Sequence, residues 1–219
     1  MDFPGNDRLT VVGDVTITAW VKLEATPFPN SQTNWYIINC EKYNESGFML
    51  RINGESSFVT YRANKPGIPS EVIGKTMLDN NTYHHIVLVR RGELLTIVLD
   101  GRRDTQLTAR VPDPTAVAFT ISLPSQSFQG EIDDIRVYDR ALETGEILGL
   151  YGQGAAAHGK DTSWIGKLVV TPFVYVDSGD AILEVDLKGI MPLGDTQVVT
   201  AELVGSDGEV VETRVLDAV

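Results

Sequence analysis

Residues 84–101 read HHIVLVRRGELLTIVLDG. Two runs rich in β-branched and large apolar residues, His84 to Arg90 and Leu94 to Asp100, are joined by Arg91-Gly92, and the second ends on Asp100-Gly101. Gly accepts the positive φ of a tight hairpin turn, so the stretch predicts antiparallel neighbours, with Asp100-Gly101 a type I′ signal. The same rhythm continues outward on both sides: Leu9 to Val12, Val15 to Leu23, Trp35 to Cys40, Gly47 to Ile52, Ser57 to Arg62, Val117 to Ser122 and Glu131 to Tyr138. Asn53-Gly54 is a further type I′ signal between two of these runs. Short strands at such spacing predict an all-β sandwich. Along Val15 to Lys22 the apolar Val15, Ile17, Ala19 and Val21 alternate with Thr16, Thr18, Trp20 and Lys22. One face of that strand is therefore expected in the core, and the other, mixed face is expected to be where a ligand is read.

The chain has 219 residues, 42% hydrophobic and 22% charged, with 20 Gly and 10 Pro, a balance that excludes disorder, collagen and coiled coil as its main state. Its net charge is −12 and no Lys/Arg cluster is dense enough to follow a phosphate backbone, so nucleic acid is not an expected partner. No apolar run approaches the roughly eighteen residues of a membrane span, so membrane insertion is not expected. The N-terminus lacks the basic and apolar parts of a signal peptide, although a piece cut from a larger secreted protein would look the same. The single cysteine, Cys40, permits neither an internal disulfide nor a Cys-based zinc site.

Helical spacing is confined to Ala141, Leu142, Ile147, Leu148, Leu150 and Tyr151, which predicts a short helix closing the sandwich. Gly152 to Gly159 is small and poor in core formers, and the segment 153–162 is expected to be a linker. Beyond it, Lys167 to Val176, Ala181 to Leu187, Gln197 to Val204 and Glu209 to Leu216 predict four more strands over residues 163–219, half of an immunoglobulin-like sandwich and more acidic per residue than the first part. A four-stranded sheet this small is marginal with one face uncovered. It is expected to pack on the first domain, on another chain, or on strands of a longer polypeptide.

Several motifs, in order, resemble one family. They are Phe3 to Leu9, Val15 to Lys22, Tyr83 to Arg90, Leu99-Asp100-Gly101 and Gly130 to Leu142. Together they are similar to the laminin-G-like, concanavalin A-like lectin/glucanase jelly rolls over residues 1–152. The resemblance implies an all-β concanavalin A-like jelly-roll sandwich with a short C-terminal helix, followed here by a small Ig-like β-sheet domain. Two departures stand out. The family usually has another strand or two before the Phe3 motif, and its helix often opens with a Ser where this chain has Glu143-Thr144-Gly145. Thr144 as a cap, or Glu143 at the positive end of the helix dipole, is the expected substitute.

Glu131-Ile132-Asp133-Asp134-Ile135-Arg136 is similar to the Glu-x-Asp-x-x-Glu strand of laminarinase-type glycoside hydrolases, except that Arg136 stands at the last position. Retaining hydrolysis needs two carboxyls about 5 to 5.5 Å apart, and an Arg is neither a proton donor at neutral pH nor a nucleophile toward a sugar. No catalytic residue is nominated. By the same resemblance Asp133 supplies a carboxylate to a structural Ca²⁺, with Asn6 and Asp7 from the N-terminal strand. The alternative is that Asp133 only ends a ladder or pairs with Arg136 or Arg140. His84 and His85 point to opposite faces of one strand and do not share a metal. No Ser-His-Asp set is nominated, and His85 is expected in the core or in a buried hydrogen bond.

Sugar recognition combines flat apolar rings with amides, carboxylates and guanidinium groups. That mixture occurs in residues 30–36 and 41–45 and at nearby Arg51, Tyr61, Arg62 and Asn64. Trp35, Tyr43, Arg51 and Tyr61 are the expected ligand-binding residues. Tyr61 and Arg62 face opposite ways, so only one of them serves a given surface. Trp20 is expected to be a packing residue, with an outer-face platform as the alternative. The resemblance implies a non-catalytic carbohydrate-binding module, secreted or at the cell surface, with a polysaccharide or oligosaccharide as partner, accessory to a glycoside hydrolase or polysaccharide lyase. The rival readings are a protein-binding adhesion module and a structural spacer that packs on neighbouring domains.

Overall fold

The computed structural model describes residues 2–3, 13–24, 34–41, 47–53, 56–65, 68–109, 119–123, 127–166, 169–175, 180–186, 199–204 and 207–216. The chain divides into two compact units, Met1–Thr162 and Ser163–Val219. Among the described residues no helix is long and apolar enough to cross a membrane.

Two antiparallel sheets form the first unit. One contains β1 (Asp2–Phe3), β3 (Trp35–Asn39), β4 (Met49–Ile52), β5 (Phe58–Lys65), β6 (Ile68–Met77) and β10 (Phe119–Ile121), in the spatial order β1-β10-β3-β4-β5-β6. The other contains β2 (Val15–Leu23), β7 (Tyr83–Arg91), β8 (Leu94–Leu99), β9 (Arg102–Thr108) and β11 (Gly130–Tyr138), in the order β11-β2-β7-β8-β9. Between them the alternation read in β2 becomes a core. Val15, Ile17, Ala19, Val21 and Leu23 are buried with Ile86, Leu88, Leu95 and Ile97 against Ile37, Leu50, Ile52 and Val59 of the facing sheet. This is the expected jelly-roll sandwich.

The turn chemistry explains most of the register. Asp100 and Gly101 both have positive φ, 50° and 76°, and Leu99 pairs with Arg102 across them, as a type I′ turn requires. Asn53 behaves otherwise: its N–H donates to Phe58 O and its carbonyl accepts from Ser57, closing a longer loop than the expected two-residue turn. Gly54 lies outside the described residues.

Two strands, β6 and β9, carry no clear sequence signal. Both are outermost in their sheets, and the Asp104 carboxylate of β9 accepts the backbone N–H groups of Lys75 (2.7 Å) and Thr76 (2.9 Å) on β6. A side chain thus satisfies edge donors that a further strand would otherwise pair.

A helix, α1 (Thr144–Ala155), packs Ile147 with Val87 and Val89 of β7 and Val98 of β8, and Tyr151 against Trp20 of β2, on the outer face of that sheet. Neither Ser nor Thr caps it. Glu143 occupies the cap position, Thr144 is the first helical residue, and Glu146 accepts the Glu143 N–H (2.9 Å) while holding Arg140 through both oxygens. The Arg140 guanidinium pulls the Glu146 carboxyl down to about 2.

The second unit has strands where the sequence places them: β12 (Val169–Tyr175), β13 (Asp180–Asp186), β14 (Val199–Val204) and β15 (Val210–Leu216). They pair as two separate antiparallel hairpins, β12 with β13 and β14 with β15. Val210, Val211 and Val215 are exposed.

Candidate functional site

The sandwich has two outer faces. On the five-stranded sheet, the mixed face of β2 is buried rather than open. Thr16 accepts the Leu142 N–H (2.8 Å) and donates to Arg140 O (2.9 Å), tying β2 to the segment entering α1. Trp20 is 1% exposed, with its ring centroid 4.9 Å from that of His85, 5.7 Å from Tyr151 and 4.3 Å from His158. Gly154 lies so close above it that a Cβ would approach the indole Nε1 to 2.5 Å. The expected linker is therefore part of the fold. Residues 153–155 finish the helix, His158 stacks on Trp20, and Lys160 donates to Asp100 (2.9 Å). Gly154 is small because the helix comes close to a ring there, not because the chain must bend freely.

Beneath this roof sits His85, the ladder partner of Trp20, while His84 pairs with Val21 and points to the opposite face. His84 Nε2 accepts the Asp79 N–H (3.2 Å), which places its hydrogen on Nδ1, 2.9 Å from Asp100 Oδ2. Both ring nitrogens are occupied, so His84 has no free site with which to take a proton from a nucleophile. His85 is 2% exposed, its Nδ1 is buried without a partner, and burial lowers its pKa to about 4. Its expected place in the core is observed, on the helix side. Cys40 is buried too, and burial pushes its thiol up to about 12.

The acidic strand β11 forms an irregular edge. Its register with β2 shifts between Asp133 and Arg136, where Asp134 has φ 46°. Arg136 binds Asp134 with two hydrogen bonds (2.8 and 2.7 Å), and Glu131 is bound by Lys22 and the Tyr83 hydroxyl. Asp133 pairs with neither Arg136 nor Arg140. Its Oδ1 accepts the Asp134 N–H (2.8 Å) and its Oδ2 lies 3.7 Å from His158 Nε2. A bulge with inward and outward charges is a recognised guard on a sheet edge. Calcium needs six to eight oxygen ligands. Among the described residues no cluster of three His, Cys, Asp or Glu side chains is arranged for a metal. Asn6 and Asp7 lie outside the described residues, and the function proposed below depends on no metal.

The outer face of the six-stranded sheet is also largely covered: Tyr36, Met49, Arg51, Thr60 and Thr120 are buried, Asn39 and Arg62 are half-buried, and Glu71 is exposed. Ladder partners share a face, so Thr120, Asn39, Met49, Arg62 and Glu71 form one row across β10, β3, β4, β5 and β6. Tyr36, Arg51, Thr60 and Ile73 form the next. Amide, hydroxyl, guanidinium and carboxylate groups thus stand beside a phenol ring and a thioether. Of the expected ligand residues, Arg51 belongs here, 5% exposed and bonded to Glu71 (2.8 Å). Trp35 and Tyr61, at 5% and 1% exposure, are on the opposite side in the inter-sheet core, so neither presents a ring to a sugar. Tyr61 packs on Phe48, ring centroids 5.5 Å apart. Tyr43 lies outside the described residues. Tyr36 lies in the expected 30–36 mixture, whereas Asn39, Glu71 and Thr120 were not singled out by sequence. For Asn39 the signal is the alternation of β3, which is legible only once the bulge between Tyr36 and Ile38 is known.

Residues 1–148 match the family model described as concanavalin A-like lectin/glucanases superfamily. Among curated proteins none matches the sequence. Among solved structures the chain is similar to the CBM40 of the Ruminococcus gnavus IT-sialidase bound to α2,3-sialyllactose, with 14% identity over 67% of this chain and 86% of that one and a TM-score of 0.52. It is also similar to domain 4 of AbnA, a GH43 extracellular arabinanase from Geobacillus stearothermophilus in complex with arabinotriose, with 15% identity, 64% and 68% coverage and a TM-score of 0.48. A third is the binding domain of botulinum neurotoxin DC in complex with rat synaptotagmin II, with 11% identity, 90% and 52% coverage and a TM-score of 0.51. At these identities the likeness is one of fold.

Proposed function

The chain belongs to the concanavalin A-like lectin/glucanases superfamily, and from that premise we propose that it is a non-catalytic carbohydrate-binding module of a secreted or surface polysaccharide-degrading protein. The observation that supports this most is the row Thr120, Asn39, Met49, Arg62 and Glu71 on the outer face of the six-stranded sheet. Met49 and Thr120 of that row are buried, so Asn39, Arg62 and Glu71 are the groups within reach of a ligand, and amide, guanidinium and carboxylate are the groups that sugar hydroxyls call for. The opposite sheet is roofed by α1. Hydrolysis has no support among the described residues: Arg136 replaces the second carboxyl and is bound to Asp134, and both nitrogens of His84 are engaged. Tethering to a catalytic partner would raise that partner's effective concentration on a glycan without any new chemistry.

Calorimetric titration of the purified chain against β-glucan, arabinan and uronic-acid polymers tests the proposal. Saturable binding to at least one, with no new reducing ends released, is expected. Silence on all of them, or release of reducing ends, contradicts it. A protein-binding reading draws on Ile73, Met77 and Leu107, exposed at 46%, 60% and 52% on β6 and β9.

A further inference from the structure

On the outer face of the six-stranded sheet two guanidinium groups stand with one carboxylate. Arg51 on β4 reaches past β5, where its ladder partner is the small Thr60, and its Nη2 donates to Glu71 Oε1 on β6 at 2.8 Å. The Arg51 side chain is 6% exposed and that of Glu71 41%, and Arg51 Nε is buried with no acceptor. Arg62, half-buried on β5, is paired in the ladder with Glu71 on one side and Met49 on the other. Glu71 bonds Arg51, however, and among the described residues Arg62 has no ion-pair partner.

Among the described residues this face therefore holds a cation without an ion-pair partner and a guanidinium N–H without an acceptor, in a chain whose net charge is −12. A buried donor on a charged group that lacks an acceptor is costly, and a planar guanidinium is the group best matched to a carboxylate or sulfate. A neutral hydroxyl would accept a hydrogen bond but would leave the extra charge in place. We propose that the site takes a sugar bearing an anionic group, a uronate carboxylate or a sulfate ester. Arg62 is its accessible contact and Arg51 the deeper one. The inference rests on the sugar-binding reading above and names its ligand class.

The test is calorimetry on the full chain with three probes: oligogalacturonate, a sulfated galacto-oligosaccharide and a neutral galacto-oligosaccharide. At least one anionic probe is expected to bind about tenfold or more tightly than the neutral one, weakening as salt is added. Arg62→Gln removes that preference with the melting temperature unchanged. Glu71→Gln strengthens anionic binding, because the competing carboxylate is gone, an effect that a purely structural Arg51–Glu71 pair would not give. If Arg62→Gln does not fold, Glu71→Gln decides alone. Binding of the neutral probe as tightly as the charged ones, indifferent to both substitutions, overturns the inference and leaves the sugar-binding reading standing. No binding by any probe also overturns the inference, whereas the sugar-binding reading falls only if β-glucan, arabinan and uronic-acid polymers are silent as well.

Discussion

A Cβ on Gly154 would lie 2.5 Å from the Trp20 indole nitrogen, whereas one on Gly152 or Gly149 of the same helix meets nothing within 4 Å. Ala at Gly152 is therefore expected to stabilise by up to about 1 kcal/mol through helix propensity. Ala at Gly154 is expected to destabilise by about 1 to 3 kcal/mol through overpacking. Urea unfolding of the two variants checks the opposite signs. His85 makes a pH prediction from the same packing. Burial holds its pKa at about 4, well below the ordinary 6.5, against opposing effects of Asp100 and Asp134 and reinforcing ones of Arg136 and His158. The unfolded chain binds the proton first, so this contribution is complete above pH 6.5 and is lost as pH falls toward 4. Its full size is about 3 kcal/mol. Urea unfolding at several pH values should show this slope in the native sequence and a flatter one in His85→Phe. Identical slopes would contradict it. Residue-level legibility was uneven for a physical reason. The opposition of Tyr61 and Arg62 follows from strand geometry alone, but which of them faces the core depends on β5 lying between β4 and β6, with Tyr61 in ladder contact with Leu50 and Val72.

At the scale of elements, strands with a buried stripe and a turn at each end could be read directly: β2, β7 and β8 appear where alternation and Gly turns put them. β6 and β9 could not be read, because an edge strand can satisfy its backbone without an apolar partner on both sides, and here Asp104 substitutes for a neighbouring strand. Asp104→Ala leaves the Lys75 and Thr76 donors to solvent or to another chain. A loss of about 1 kcal/mol in stability is expected, together with self-association visible by light scattering. A variant that stays monomeric and equally stable would show that the carboxylate guards nothing.

For the whole molecule, the segment that precedes the second unit is the instructive one. Gly152 to Gly159 has the composition of a linker, yet Ala155 is fully buried, and His158 and Lys160 anchor on Trp20 and Asp100. Composition reports small size and cannot tell a flexible backbone from a close contact. A fragment ending at Thr162 is expected to keep the melting transition of the first unit, while one ending at Gly152 loses the roof over Trp20 and His85 and unfolds at markedly lower temperature. Equal transitions for both fragments would restore the linker reading. The fold class was legible because many strands repeat one simple pattern. The candidate site was not, because it is a row assembled from five strands far apart in sequence, of which only Arg62 stands out in the sequence. Backbone amide NMR shifts during titration with a bound oligosaccharide test that row most directly. The largest changes are expected at Asn39, Met49, Arg62, Glu71 and Thr120. Changes confined to α1, β9 or β11 would contradict the account.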